Sequence, residues 1–398
     1  MFYPTAHLLA VLALVSSTSA ALSLVSGAAY FITNDLSGNE VVSMNIGPNG
    51  KLGSMSSVSA GGRGALGIRL PAPDPLFSQG SVQVHTAARI LVTVNAGSNT
   101  VSMFNINPTN PSKLSMIGTP TSSEGEFPIS VAINSKATMV CVLNGGAVNG
   151  INCYTPDAKL GLIAIPNTLR YLGLNVTTPP SGPVATASTI VFSEDDQTLI
   201  VAVKGPPAPG FLAAWSIAAD GSLSAEAVKS LPATGGGFMF SLTPIPGKNA
   251  FLSADPGSGF DIFNFTGLSA TSSVVPIKGQ ITTCWSSYAP KSGNFFLTDL
   301  GNSTITEVNI DSNLKGSIVK SYPQAIGSGT IDNAIASIGG NDFLYVLTPG
   351  ANLVNVLAVN TPGKAVALQA YDFAAAAKVA GVTITQNIAQ GMATYVKP

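Results

Sequence analysis

The stretch LVTVNAGSNTVSMFNI, residues 91–106, decides the fold. It consists of an apolar run, a turn rich in glycine and asparagine, and a second apolar run. Two other segments follow the same order: YFITNDLSGNEVVSMNI begins at Tyr30, and VCVLNGGAVNGINCY begins at Val140. Apolar runs joined by Asn/Gly turns predict antiparallel β-hairpins. Their recurrence indicates that the chain repeats one structural unit.

Alignment without gaps extends the repeat to the strand before each hairpin. VQVHTAARILVTVNAG from Val82 matches VAINSKATMVCVLNGG from Val131 position by position. IVFSEDDQTLIVAVKG from Ile190 follows the same course, with one extra residue before its closing turn. A more polar fourth strand, such as KLSMIG or SIVKSYP, ends most units. Four antiparallel strands that recur about every 45 to 60 residues predict a β-propeller.

The repeat predicts an all-β protein of about seven four-stranded antiparallel blades. The blades begin near residues 29, 81, 128, 188, 238, 282 and 332. The first unit opens at Tyr30 with a second strand, while GMATYV at 391–396 is left over at the end of the chain. We expect this C-terminal strand to pair into the first blade, because that pairing closes the ring and removes exposed sheet edges. A pair of β-sandwiches and a solenoid are the alternatives.

The composition agrees with this class and excludes some partners. Charged residues make up 9% and hydrophobic residues 45%, with 41 glycines and 27 prolines, which suits short buried strands joined by tight turns. The formal net charge is -1 and the lysines and arginines are scattered, whereas nucleic-acid binding needs clustered positive charge. No segment beyond the N-terminus is apolar enough for a membrane span. We therefore expect neither a nucleic-acid nor a membrane partner.

The first 20 residues are typical of a secretory signal peptide. An apolar stretch from Leu8 to Val15 is followed by small residues that end near Ala20, and it is far shorter than the roughly 20 residues that a span requires. Cleavage there leaves residues 21–398 as a single propeller domain. We expect a secreted monomer, free or associated with the cell wall. Three sequons are expected to be glycosylated: Asn175, Asn264 and Asn302.

Two connections between blades are longer than the others, residues 60–80 and about 165–187. Both are expected on the face that bears the NAGSN-type turns, where they either contribute to function or simply cap the blades. Three of the four arginines lie in these connections, and a guanidinium group binds carboxylates in a bidentate manner. We expect them to form a catalytic clamp over the central channel, with solvated loop charge as the alternative: Arg63, Arg69 and Arg170.

Three polar residues precede innermost strands and are expected to point at the mouth of the channel: Glu126, Gln79 and Gln390. Glu126 is the preferred acid/base candidate. Gln79 and Gln390, together with the turn residues Asn95 and Asn144, are expected to bind the substrate. Because every candidate lies on one face, the sequence predicts the active region there.

Other candidates for chemistry are less favoured. His85 is the only histidine after the signal peptide, but the alignment places it in a turn on the face opposite the long connections. Three aspartates match the positions of the turn asparagines, namely Asp35, Asp255 and Asp299. Such residues usually bind their own turn backbone, although three of them around one channel could instead hold Ca²⁺. We expect the structural duty and no metal.

The cysteines predict one disulfide and one free thiol. Cys141 and Cys153 flank a hairpin in CVLNGGAVNGINC, which places them opposite each other on paired strands. The secretory context favours their oxidation. Cys284 lies on an innermost strand, and we expect it to be a buried inert thiol because no histidine is available to activate it.

The chain resembles the seven-bladed lactonase family, and within it the secreted fungal proteins called 3-carboxymuconate cyclase-like. The resemblance covers almost the whole mature chain and rests on these segments: FSQGSV, LVTVNAGSNTVSMF, VCVLNGGAVNG, PGKNAFLSADPGSGFDIF, CWSSYAPKSGNFFLTD and AGVTI followed by QGMATYV. It implies either hydrolysis of sugar lactones or cyclisation of carboxymuconate, by proton transfer without a cofactor. The family's catalytic residues cannot be transferred to individual positions here, because the channel-facing strands supply almost no cations.

Two functions of different classes follow. The first is an extracellular enzyme that opens or closes a lactone, acting on a small organic acid or lactone at the channel. The second is a non-catalytic secreted or cell-wall glycoprotein that binds carbohydrate or a protein partner through the rim of the propeller. A Ca²⁺-dependent lactonase of another propeller type is a third possibility.

Overall fold

The computed structural model describes residues 24–67, 73–206 and 208–398, and the signal peptide predicted at residues 1–20 lies outside this range. Seven antiparallel sheets form the blades of a propeller, and their strands follow one another from the channel outward. The predicted all-β, seven-bladed architecture is confirmed. In the described residues, no helix has the length and apolar character needed to cross a bilayer.

The first four blades contain seventeen strands, and all but the innermost strand of blade 1 follow in chain order. Blade 1 contributes β1 (Gly27–Ile32), β2 (Glu40–Ile46) and β3 (Leu52–Ser59). Blade 2 contributes β4 (Val82–His85), β5 (Ile90–Asn95), β6 (Thr100–Ile106) and β7 (Leu114–Ser122). Blade 3 contributes β8 (Pro128–Ile133), β9 (Val140–Asn144), β10 (Gly150–Asp157) and β11 (Gly161–Ala164), with a short extra strand β12 (Arg170–Tyr171). Blade 4 contributes β13 (Ala187–Phe192), β14 (Thr198–Val203), β15 (Phe211–Ser216) and β16 (Val228–Ser230).

The remaining blades repeat the same order. Blade 5 contributes β17 (Thr243–Pro244), β18 (Ala250–Asp255), β19 (Gly259–Thr266) and β20 (Ser269–Pro276). Blade 6 contributes β21 (Thr283–Ala289), β22 (Asn294–Asp299), β23 (Thr304–Ile310) and β24 (Gly316–Pro323). Blade 7 contributes β25 (Asn333–Ile338), β26 (Asn341–Thr348), β27 (Leu353–Ala358) and β28 (Val366–Asp372). The chain ends with α1 (Phe373–Ala380) and β29 (Gln390–Val396).

The ring closes through the C-terminal strand. β29 pairs antiparallel with β1, from Gly27 opposite Val396 to Ile32 opposite Gln390, and thereby becomes the innermost strand of blade 1. Gly27 is required in this contact, because a Cβ at this position would lie 2.1 Å from the carbonyl oxygen of Tyr395. The predicted pairing of the leftover strand is therefore confirmed.

The NAGSN turn shows why the repeat keeps asparagine and glycine. The turn joins β5 to β6, and the amide of Ser98 donates to the carbonyl oxygen of Asn95 at 3.1 Å. Asn99 has a φ of 54°, a left-handed conformation that asparagine tolerates better than most residues. Beside the turn, all six residues of β5 are buried, whereas the outermost strand β7 is largely half-buried or exposed. The hydrophobic core therefore lies in the inner and middle strands of the blades.

Candidate functional site

A central cavity of about 360 Å³ lies inside the ring of innermost strands. Its wall consists mainly of polar uncharged and apolar side chains from six of the seven blades, all but blade 3. The lining residues are Gln79, Gly80, Gln83, Val84, Thr189, Ile190, Val191, Leu242, Thr243, Pro244, Ser286, Ser287, Tyr288, Asp332, Asn333, Ala334, Met392, Ala393 and Thr394. A cavity of this size, with a few polar groups at fixed positions, is a typical small-molecule site.

The end of the first long connection inserts into the channel. We call residues 73–80 the channel plug. The side chain of Gln79 binds Ser286 on the opposite side of the ring through two hydrogen bonds, Nε2 to the carbonyl oxygen at 3.2 Å and Oε1 to the amide at 3.0 Å. The carbonyl oxygen of Ser78 accepts from Nε1 of Trp285 at 3.0 Å. Trp285 and Ser286 are the third and fourth of the seven residues of β21. The carbonyl oxygen of Ser78 also accepts from Nε2 of Gln390, the first residue of β29, so the plug occupies the end of the channel where the blade connections lie.

The cavity opens toward the other face of the propeller. A second cavity of about 340 Å³ shares Gln83, Ile190, Val191 and Pro244 with the central one and continues to residues 193–196, in the turn between the first two strands of blade 4. The two spaces are therefore contiguous along the channel wall. This corrects the expectation that both long connections stand above an open mouth, because the first of them seals that end instead.

Asp332 is the one carboxylic acid on the wall of the cavity. It lies just before β25, and its Oδ2 accepts hydrogen bonds from Nε2 of Gln390 at 2.7 Å and from the amide of Gly391 at 2.9 Å. Burial raises the pKa of Asp332 to about 7, and these two hydrogen bonds only partly oppose the rise. A carboxyl group that titrates near neutral pH beside a cavity is suited to accept and return a proton.

Two further charged groups are buried at the plug: Asp74, which belongs to it, and Lys204, which follows β14 of blade 4. Nζ of Lys204 donates to the carbonyl oxygens of Phe77 and of Ala187, the latter at 2.9 Å, and thereby fixes the plug to blade 4. Burial raises the pKa of Asp74 and lowers the pKa of Lys204, while their opposite charges act against both shifts. The negative charge of Asp332 raises the pKa of Asp74 further.

The predicted substrate-binding residues divide into two groups. Gln79 lines the cavity, and Gln390 is buried behind Asp332 as its hydrogen-bond donor. The two asparagines are also buried, but they hold turns together: Nδ2 of Asn95 donates to the carbonyl oxygen of Ala60 at 3.1 Å, and Nδ2 of Asn144 donates to that of Ser123 at 2.9 Å. Neither asparagine is among the residues that line the cavity.

The structure does not bring the predicted catalytic set together. The guanidinium group of Arg170 binds backbone carbonyl oxygens at the outer edge of blades 3 and 4, and that of Arg63 binds Gly97 beside blade 2, at 3.4 Å. The carboxylate of Glu126 accepts from the hydroxyl of Thr178 in the second long connection. None of these three residues lines the central cavity. Arg69 lies outside the described residues.

The less favoured candidates have structural partners. Nε2 of His85 lies 2.9 Å from the carbonyl oxygen of Ser135, in a turn on the face opposite the blade connections. Asp255 accepts from the amides of Gly237 and Gly257, both at 2.7 Å, and Asp299 likewise accepts backbone amides. Across the described ranges, no group of three His, Cys, Asp or Glu side chains is placed to hold a metal ion.

The cysteines follow the sequence prediction. Cys141 and Cys153 face each other on β9 and β10 and form the disulfide. Cys284 is a free, buried thiol, and burial raises its pKa well above the ordinary value. The protonated form is a poor nucleophile, which agrees with an inert role.

Two residues of the site, Asp332 and Lys204, were not predicted from the sequence, although their positions in the repeat indicate them. Asp332 directly precedes β25, close to the places of Gln79, three residues before β4, and Gln390, the first residue of β29. Lys204 stands at the turn position that Asn95 and Asn144 occupy in other blades. Asp74 had no such signal, because its burial depends on the insertion of the plug.

Comparisons with known proteins agree with the fold. No protein-family model and no curated protein matches the chain. Among solved structures, it resembles the periplasmic gluconolactonase PpgL of Pseudomonas aeruginosa, with a TM-score of 0.68 and 14% identity over 94% of this chain and 99% of that one. It also resembles a putative 6-phosphogluconolactonase of Bacteroides fragilis, with a TM-score of 0.62 and 12% identity over 86% and 94% of the two chains.

A solved propeller described under a different function is nearly as similar. A hypothetical selenium-binding protein of Sulfolobus tokodaii has a TM-score of 0.60 and 10% identity, over 87% of this chain and 90% of that one. At these identities the likeness shows the fold alone. The chain is thus similar in architecture to gluconolactonase-like seven-bladed propellers, and its chemistry has to be argued from its own residues.

Proposed function

We propose that the protein hydrolyses a neutral lactone in the central cavity, with Asp332 as the general base. The observation on which the proposal rests is the placement of one carboxyl group, with a pKa of about 7, on the wall of a cavity of about 360 Å³. At neutral pH a large fraction of this group is ionised and able to accept a proton. The likeness to solved gluconolactonase-like structures supports the substrate class.

The reaction needs one water molecule. The carboxylate of Asp332 takes a proton from the water while the water oxygen attacks the lactone carbonyl carbon. The carbonyl oxygen thereby becomes an oxyanion. When the oxyanion collapses, the bond between the carbonyl carbon and the ring oxygen breaks, and Asp332 returns the proton to the leaving ring oxygen. Gln83, Ser287 and Tyr288 line the same cavity and offer amide and hydroxyl donors to the oxyanion.

The charge of the cavity determines which substrates suit it. Among its lining residues, all of which belong to the described part of the chain, there is no lysine, arginine or histidine. A carboxymuconate or a phosphorylated lactone would therefore bring its negative charges next to Asp332 without a compensating cation. A neutral sugar lactone avoids this cost, and its hydroxyl groups match the Gln, Asn, Ser and Thr side chains of the wall. Lactone hydrolysis is therefore favoured over carboxymuconate cyclisation.

The test is the hydrolysis of D-glucono-1,5-lactone by purified protein, followed by acid release and corrected for the spontaneous reaction. We expect Asp332→Asn to lower kcat by at least about 100-fold, as loss of a general base typically does. Glu126→Gln is the matched control. It removes a carboxylate outside the cavity, and we expect a rate within about twofold of wild type. Equal rates for wild type and Asp332→Asn would refute the proposal.

The neutral, hydrogen-bonding wall also favours a second function, the binding of a carbohydrate without turnover. Its polar residues are uncharged apart from Asp332, and side chains of this kind recognise sugar hydroxyl groups. Calorimetric titration with the hydrolysed acid and with neutral monosaccharides separates the two functions. Binding of a sugar by a protein that leaves every lactone unchanged would favour the non-catalytic glycoprotein.

We also propose that the protein is secreted and glycosylated. The Cys141–Cys153 disulfide supports an oxidising compartment. The side chains of Asn175 and Asn264 are exposed, whereas Nδ2 of Asn302 donates to the carbonyl oxygen of Gly279 at 3.0 Å. We therefore expect glycans at the first two sequons and low occupancy at the third. Mass spectrometry of protein from the culture medium tests both the N-terminus and the occupancy, and an intracellular, unprocessed chain would refute secretion.

A further inference from the structure

We propose that a groove on the outer wall, between blades 3 and 4, binds the hexose units of a polysaccharide. We call it the outer groove. Its volume is about 430 Å³, within the range of small-molecule sites. The residues that matter to the argument are Leu169, Arg170, Tyr171, Trp215, Glu226 and Lys229. The outer groove is separate from the central cavity and shares no lining residue with it.

One side of the outer groove is a built platform. The extra strand β12 pairs with β10, with Tyr171 opposite Gly150 and Arg170 opposite Ile151. Gly150 has a φ of 149°, and a Cβ there would lie 2.1 Å from the carbonyl oxygen of Arg170, so only glycine allows β12 to dock. This strand is an addition to the four-stranded plan of the other blades, and closure of the ring does not involve it.

Arg170 fixes the platform to the next blade. Its Nε donates to the carbonyl oxygen of Ser224 at 2.8 Å, and Nη2 donates to that of Leu223, both of which precede β16 of blade 4. Nη1 and Nη2 also donate to the carbonyl oxygens of Leu169 and Asn167, at 2.7 and 3.1 Å. Four of the five N–H donors of the guanidinium group are thus used in a structural clamp between two blades. A site held in this way is preorganised, which lowers the entropy cost of binding.

The exposed face of the platform has the chemistry of a sugar site. Tyr171 is 65% exposed, although it is a large aromatic side chain on a paired strand. Across the groove, Glu226 and Lys229 are exposed, and Nζ of Lys229 lies 4.5 Å from the centre of the Phe211 ring, which restrains it. The C–H face of a hexose packs against an aromatic ring, while its hydroxyl groups donate to a carboxylate and accept from an ammonium group.

Affinity electrophoresis tests this inference in native gels that contain a soluble β-1,3-glucan, a soluble β-1,4-glucan or an α-mannan, all of which are hexose polymers. We expect at least one polysaccharide to retard the wild-type protein. Tyr171→Ala should weaken that affinity by about tenfold, and Tyr171→Phe, which keeps the ring, should bind within about twofold of wild type. The control is Leu231→Ala, which removes an apolar side chain of similar exposure, 62%, outside the groove.

The outcomes separate this inference from the proposed lactonase activity. Tyr171→Ala should keep the wild-type thermal midpoint and the wild-type rate of lactone hydrolysis, because Tyr171 touches neither the plug nor the central cavity. The inference is overturned if none of the three polysaccharides retards the wild type. It is equally overturned if Tyr171→Ala is retarded as strongly as wild type, which would place the sugar site elsewhere.

Discussion

Asp332→Asn should raise the stability of the folded protein while it removes the activity. In the folded state the pKa of Asp332 is about 7 rather than the ordinary aspartate value of 3.8. Between these two values the folded protein holds a proton that the unfolded chain has released. Stability therefore falls as the pH rises through this window, and the ionised group destabilises the fold above it. Asparagine has nearly the same shape and carries no charge, so it removes the penalty.

The size of the effect follows from the pKa difference. At about 1.4 kcal/mol for each pH unit between the folded and unfolded values, the ionised carboxyl costs the fold about 4 kcal/mol at pH 8 and less than about 1 kcal/mol at pH 4. For a domain of this size, with an unfolding entropy of about 2 cal/mol/K per residue, 4 kcal/mol corresponds to about 5 °C in thermal midpoint. Asparagine Oδ1 can still accept from Gln390 and Gly391, so the supporting hydrogen bonds are kept.

Differential scanning fluorimetry of wild type and Asp332→Asn at pH 4, 6 and 8, beside lactone hydrolysis at pH 8, measures both effects. We expect the variant to melt several degrees above wild type at pH 8 and almost with it at pH 4. A variant that melts below wild type at pH 8, or that differs equally at all three pH values, would show that burial does not control this carboxyl group. The reasoning behind its role as a base would then fail as well.

Three further predictions concern other buried groups. Lys204→Met should lower the free energy of unfolding by about 2–4 kcal/mol in urea titrations, because the plug loses its anchor and Asp74 loses its counter-charge. The loss should be larger at pH 8 than at pH 6, and an unchanged urea midpoint would contradict this prediction. Replacing both Cys141 and Cys153 with alanine should lower the free energy of unfolding by about 3 kcal/mol, as expected for a disulfide between residues 12 positions apart. A smaller loss of stability than that of Cys284→Ala would contradict this prediction. Neither carboxyl oxygen of Asp261 has a hydrogen-bond partner in the described structure, and burial beside Asp255 raises its pKa to about 8. Wild-type stability therefore falls as the pH rises from about 4 to 8, and Asp261→Asn should leave the thermal midpoint nearly unchanged at pH 4 and raise it increasingly at pH 6 and pH 9; equal midpoints at pH 9 would contradict this.

The fold was predictable because its determinants are local and repeated. The hairpin around NAGSN, with Asn99 in a left-handed conformation, specifies its own turn, and six further units repeat the strand order. Closure by β29 followed from counting strands, since a ring with one strand missing would leave an edge exposed. The Cys141–Cys153 pair followed from the register of one hairpin.

The site was only partly predictable because its determinants are distant in the chain. The expectation that the active region lies beneath the long connections placed Arg63, Arg170 and Glu126 around one mouth. The structure instead places the end of the first connection inside the channel, where Gln79 meets Ser286 from 207 positions away. No local pattern encodes such a contact. The same insertion buries Asp74, which an isolated reading of PAPDP could only assign to an exposed turn.

The plug connects the architecture to the proposed chemistry. An open channel would leave Asp332 in contact with water from both faces, and its pKa would approach that of an ordinary carboxylic acid. With one end closed by residues 73–80, the group is desolvated and its pKa rises to about 7. The closure also buries a second carboxyl group, that of Asp74. Lys204 offsets the negative charge of Asp74 and also anchors the plug. The buried charges of Asp74 and Lys204 therefore accompany the closure of one end of the channel, on which the proposed neutral-pH base depends.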